Sequence, residues 1–142
     1  MADEPDLLDG LARYLAERGH GTYGPDLVGA TIVLEHMPST PDVVVVLTEY
    51  GGPEAHGRLP YDEPRVQIRV RGTTDPRVSR ARAKAIRSEL HGLSYTVLPG
   101  GTELLSAVAL QTVESMGQDD NRRHEHVFNL QTEIYSPTKH RA

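Results

Sequence analysis

The chain has 142 residues, 37% of them hydrophobic with one Phe, no Trp and no Cys, and a formal charge of −5. That is the length of one ordinary domain, which folds without staples, although a core of Val, Leu, Ile and Ala with so little aromatic filling is thin and points to burial completed against further copies of the chain. The absence of cysteine excludes disulfides, thiolate metal sites and cysteine nucleophiles, and the acidic balance argues against a nucleic-acid binder held by phosphate contacts.

In chain order, the N-terminus is acidic (Asp3, Glu4, Asp6) where a signal peptide is basic. No apolar run approaches the ~20 residues of a membrane span, so a protein folded in a reducing cytoplasm is expected. Leu7, Leu8, Leu11, Tyr14 and Leu15 follow Pro5 at helical spacing and predict a first helix over residues 5 to 18, closed by Gly19. Gly10 costs that helix about 1 kcal/mol relative to Ala, so it depends on packing. Residues 19 to 29, with Gly19, Gly21, Gly24, Pro25 and Gly29, read as a loop, and Thr31 to Leu34 as a short strand.

After the turn cluster 38–42, the β-branched run Val43 to Leu47 reads as an interior strand. Tyr50 to Pro64 is rich in Gly and Pro without periodicity, a long loop of the kind that more often carries function than not. Arg65 to Arg71 alternates, with Val66, Ile68 and Val70 on one face and Arg65, Gln67, Arg69 and Arg71 on the other. Thr73-Thr74-Asp75-Pro76 caps a second helix that runs to about Leu90 before His91-Gly92. Val78, Ala81 and Ala85, with Ile86 beside them, are expected to face the sheet.

A short strand is expected near Tyr95 to Leu98, then a turn at Pro99-Gly100-Gly101. Two longer β segments follow, 103–114 and 123–135, joined as a hairpin through Gly117-Gln118-Asp119-Asp120-Asn121. Helix, strands, helix, strands predicts one α+β domain over residues 1–142: a mostly antiparallel sheet with both helices on one face, and a flexible tail over 136–142.

Few residues form constellations that carry chemistry. His124 and His126 stand at i and i+2 on one strand face, which suits two metal ligands or an exposed, hydrogen-bonded edge; no second motif supplies further ligands. Asp119-Asp120-Asn121 lacks the spacing of a calcium loop, Gly51-Gly52 and Gly100-Gly101 lack that of a phosphate loop, and no serine sits in a nucleophile elbow. Arg77, Arg80, Lys84 and Arg87 fall within about 80° of one another on the second helix, either a docking face for an acidic partner or passing DNA, or a solvated face. Arg65, Arg69 and Arg71 either meet water or meet a neighbouring subunit's carboxylates.

Four stretches carry a resemblance: Leu7-Leu8-Asp9-Gly10-Leu11-Ala12; Val43 to Glu49 followed by Tyr50-Gly51-Gly52; Pro64 to Gly72 followed by a helix ending Leu90-His91-Gly92; and Asp120 to Leu130. Their order resembles the tail-terminator or tail-completion proteins of long-tailed bacteriophages, a group overlapping with phage minor capsid proteins. The resemblance implies a sheet packed on two helices and no catalytic residue or cofactor. It also implies a homohexameric ring that caps the tail tube at the head–tail junction of the virion, after assembly in the host cytoplasm. The implied partners are other copies of the chain, the tail-tube protein, the head-completion or stopper protein, and DNA sliding through the lumen without sequence-specific binding.

The implied ring makes interface candidates of Tyr50, Gly51 and Gly52 in the 50–64 loop, and of Asp119, Asp120, Arg122 and Arg123 in the 117–123 turn. Arg65, Arg69, Arg71, Arg77, Arg80, Lys84 and Arg87 join them. Other readings are a head-completion, stopper or minor capsid protein at the portal, a small metal-dependent enzyme using His124 and His126, and a cytosolic module whose basic helix docks an acidic partner.

Overall fold

The structure, a computed structural model, describes residues 5–24 and 28–141. Asp3 and Glu4 of the acidic N-terminus, Pro25 of the expected loop and Ala142 of the expected tail lie outside the described residues.

Helix α1 spans Leu7–Glu17 and starts at Asp6, whose carboxylate accepts from the backbone N–H groups of Leu8 and Asp9 at 3.0 and 3.3 Å. Two donors that a helix start leaves open are thereby satisfied. Leu7, Leu8, Leu11, Ala12, Tyr14 and Leu15 are buried. Gly10 shares that face because a Cβ there would stand 3.1 Å from both the Leu98 Cβ and the Pro99 carbonyl oxygen. The packing that the glycine requires is this close seat on the 98–99 turn.

The strands are β1 Ile32–Leu34, β2 Val44–Tyr50, β3 Tyr61–Asp62, β4 Arg65–Arg71, β5 Ser94–Val97, β6 Glu103–Ala109, β7 Glu114–Gln118 and β8 His124–Tyr135; helix α2, Pro76–Leu90, follows β4. They form one sheet in the order β1-β2-β4-β8-β6-β5, with β3 and β7 also paired to β8. Strand β1 runs parallel to β2, and the other pairs are antiparallel. Strand β8 is the spine. One edge pairs with β4 and then β3, the other with β7 and then β6. The expected single segment 103–114 is therefore two strands, divided after Ala109 because each takes a different half of β8.

Both helices lie on one face, α1 against β1 and β2, α2 against β4, β6 and β8. Register places Val45 and Leu47 beside Val70 and Ile68, and these beside His126 and Phe128, so one continuous core runs across the sheet. Val66, Ile68 and Val70 are wholly buried on that face, as their alternation predicts.

Helix α2 starts at Asp75, with Pro76 in its first turn. Its rotation differs from the sequence expectation: Ser79, Ala83, Ile86 and Leu90 are buried, while Val78, Ala81 and Ala85 are exposed. Two causes set the rotation. Gly72 lets the helix approach so closely that a Cβ there would lie 2.8 Å from the Ser79 backbone nitrogen. Turning Ile86 and Leu90 inward also buries more apolar area than turning in alanines.

The segment after Tyr135, expected to trail away, is tied back. The Arg141 guanidinium donates to both carboxylate oxygens of Asp62 at 2.9 Å and to the Ser136 carbonyl at 3.1 Å. Arg141 thereby holds the Asp62 carboxyl below its usual range.

Candidate assembly surfaces

The sheet face away from the helices carries Arg65, Gln67, Arg69 and Arg71 of β4 beside Gln131, Asn129, Val127 and Glu125 of β8. All three arginines of this face are engaged within the subunit. Arg65 Nε donates to Gln131 Oε1 at 2.7 Å. Arg69 grips the buried Glu125 with two bonds, Nε to Oε1 at 2.7 Å and Nη2 to Oε2 at 3.1 Å, a fork that a planar guanidinium is shaped to make. Arg71 is only 2% exposed, and its guanidinium donates to the carbonyls of Asp42 at 3.0 Å and Pro41 at 2.7 Å. Arg71 therefore organises its own subunit instead of presenting charge to another.

Arg123, in the turn before β8, is likewise buried. It donates to Asp119 Oδ2 at 2.8 Å, the Ser39 carbonyl at 2.7 Å and Asp42 Oδ1 at 3.1 Å. Asp119 closes the turn by accepting the N–H groups of Asn121 and Arg123 at 2.9 Å. Burial works against the Asp119 carboxylate, yet these bonds hold its pKa below the usual range. Arg71 and Arg123 together clamp the 35–43 connection against the sheet. Asp120 and Arg122 stay exposed at the tip.

On α2, Arg77 is paired with Asp75 at 2.9 Å and Arg87 donates to the Gln111 carbonyl at 3.1 Å. Arg80 and Lys84 are exposed and make no ion pair among the described residues. Val78, Ala81 and Ala85 lie alongside, so the outer surface of the helix is basic on one side and small and apolar on the other.

Tyr50, Gly51 and Gly52 open the long loop at the far end of β2, and residues 51–59 are exposed. The loop closes when β3 adds to β8. Between it and the start of α1 is a cleft of about 350 Å³ lined by Asp6, Glu49, Asp62, Glu63 and Ile134 among others. Burial, then the carboxylates of Asp6, Glu35 and Asp62, push the Glu49 pKa up.

One surface is not visible in the sequence as a unit. On the helix-free face, Tyr61, Tyr95, Leu105 and Tyr135 line a shallow depression with Glu103 and Glu133. The rings of Tyr61 and Tyr135 meet edge to face at 5.8 Å. Tyr95 is 87% exposed and holds a left-handed backbone at φ 48°, which costs a bulky residue roughly 1 kcal/mol or more. Val97 and Val108 extend the apolar surface and are also exposed.

The two histidines do not form a site. His126 is buried beneath α2, 2.7 Å from Ser79 Oγ through Nδ1, and His124 Nε2 faces Gln118 Nε2 at 3.2 Å. The expectation of an exposed edge fails for His126 because β7 and β4 flank β8 on both sides there. No group of three or more His, Cys, Asp or Glu that could hold a metal occurs among the described residues.

A family model described as bacteriophage tail terminator protein matches residues 14–136, from the second half of α1 to just beyond β8. No curated protein matches the chain. The matched span takes in every strand of the sheet and all of α2. The chain belongs to the bacteriophage tail terminator proteins, structural components of the phage tail.

Proposed function

We propose that copies of this chain close into a ring, six-membered as the resemblance implies, on the end of the tail tube. The ring halts tube growth and offers the surface to which the head-side connector joins. The observation that carries the reading is the helix-free face. Both helices cover the opposite face, and this one retains exposed tyrosine and valine side chains rimmed by carboxylates, the amphipathic composition of an interface core.

The strand register supports a division of labour between two ends. Tyr50 pairs with Arg65 at one end of the sheet, and Val44 pairs with Arg71 at the other, beside Glu125. The 50–64 loop and the Asp120–Arg122 tip thus project from opposite ends, so one meets the tube and the other the head-side partner. A net charge of −5 suits a lumen through which DNA slides without being held.

The test is to add purified chain to polymerising tail-tube subunits and measure tube lengths by electron microscopy. Bounded tubes with added density at one end are expected. Unbounded tubes with the chain left in solution would sink the proposal.

A further inference from the structure

We infer that the joint between neighbouring copies is a head-to-tail contact in which the outer surface of α2 of one copy packs on the Tyr61–Tyr95–Tyr135 patch of the next. This rests on the ring reading above and names the surfaces that make the ring.

The patch needs a partner that is apolar and small at the centre and basic at the rim. At its centre are tyrosine rings, and at its rim Glu103 and Glu133, neither of which makes an ion pair among the described residues. The outer surface of α2 has that composition. Ala81 and Ala85 are exposed and too small to hold the rings away from the helix, and Arg80 and Lys84 stand beside them with no ion pair among the described residues. On the same helix, Arg77 is already paired with Asp75.

Tyr95 supplies an independent argument. A tyrosine held 87% exposed in a left-handed backbone is a local cost that the isolated subunit does not recover. Burial of the ring against a neighbour recovers it, and tyrosine is among the residues that anchor interfaces. The two surfaces lie on opposite sides of the sheet. The contact is therefore heterologous: it propagates from copy to copy and closes where the rotation per step divides a full turn.

The experiment measures the mass of the full chain by light scattering across concentration, for the wild type and for Lys84→Glu, Glu133→Lys and Tyr95→Gly. Each substitution is expected to raise the concentration needed for assembly by about tenfold or more, since like charges face each other or an anchor is lost. Circular dichroism should stay unchanged, since glycine accepts the backbone that Tyr95 holds and the other two sites are on the surface. An equimolar mixture of Lys84→Glu and Glu133→Lys should assemble again, because alternating copies restore an opposite-charge pair at every joint of an even-numbered ring.

A wild type that assembles while all three variants match it, or a mixture that fails to recover, overturns the joint and leaves tail termination standing. A wild type that stays monomeric up to its solubility limit also overturns the joint. A variant that loses only the ability to cap tubes assigns the patch to the tube protein instead, which overturns it too. Failure of the wild type to limit tube length is the separate outcome that removes the underlying reading.

Discussion

Replacing Arg71 by Ala should destabilise the subunit by about 3 kcal/mol. The side chain is 2% exposed, and its two hydrogen bonds to the Pro41 and Asp42 carbonyls span 2.7 and 3.0 Å. A hydrogen bond from a charged donor contributes roughly 1.5 kcal/mol or more, and truncation strands both carbonyls under the 35–43 connection. Arg71→Lys keeps the charge but lacks the planar fork whose Nε and Nη2 each reach one carbonyl, so about half the loss is expected.

Arg80→Ala, on the exposed side of α2, should stay within ~0.5 kcal/mol. Urea unfolding followed by circular dichroism at several protein concentrations is the assay. A loss at Arg71 that is independent of concentration places the effect inside the subunit and not in assembly. A change below ~0.5 kcal/mol for Arg71→Ala would refute the clamp.

Three further expectations follow from the packing. Ile86→Ala should cost about 3 kcal/mol through a core cavity and Val78→Ala less than ~1, and the reverse order would show α2 turned the other way. Gly10→Ala should destabilise despite Ala's higher helix propensity, because its Cβ meets Leu98 and Pro99 at 3.1 Å; a higher melting temperature would contradict that seat. Burial, then the charges of Arg80, His124 and Lys84, lower the His126 pKa from its ordinary 6.5. The unfolded chain therefore binds the proton more readily, and stability present above pH 6.5 is lost as the pH falls toward the folded-state value. His126→Gln should flatten that limb of a pH–stability curve, and an unchanged limb would assign it to other groups.

The elements were legible where local chemistry decides them. The alternation of 65–71 and the Asp75-Pro76 start of α2 gave strand and helix at their observed positions, because pleat and cap are set by neighbouring residues. The rotation of α2 was not legible. Val78, Ala81 and Ala85 form a regular stripe, and the choice against it comes from the close approach of Ser79 to Gly72, in the connection before the helix, and from the bulk of Ile86 and Leu90. The burial of Arg71 and Arg123 was hidden for a similar reason: arginine reads as surface, and the carbonyls these two serve lie on a connection far away in sequence.

Of the candidate surfaces, the basic stripe was legible, but Arg77 and Arg87 are engaged within the subunit, while Arg80 and Lys84 make no ion pair among the described residues. The tyrosine patch was hidden altogether. Its rings come from β3, β5 and β8, and β-pairing alone brings them together. The resemblance to tail terminators was readable because it rests on the order of motifs along the chain, and the family match over residues 14–136 spans the later three of the four stretches, leaving out Leu7 to Ala12.

Tail termination itself is tested most directly by tail length in particles assembled without this chain. Loss of the chain should leave overlong tails of irregular length, unattached to filled heads. Tails of normal length joined to heads in its absence would contradict the account.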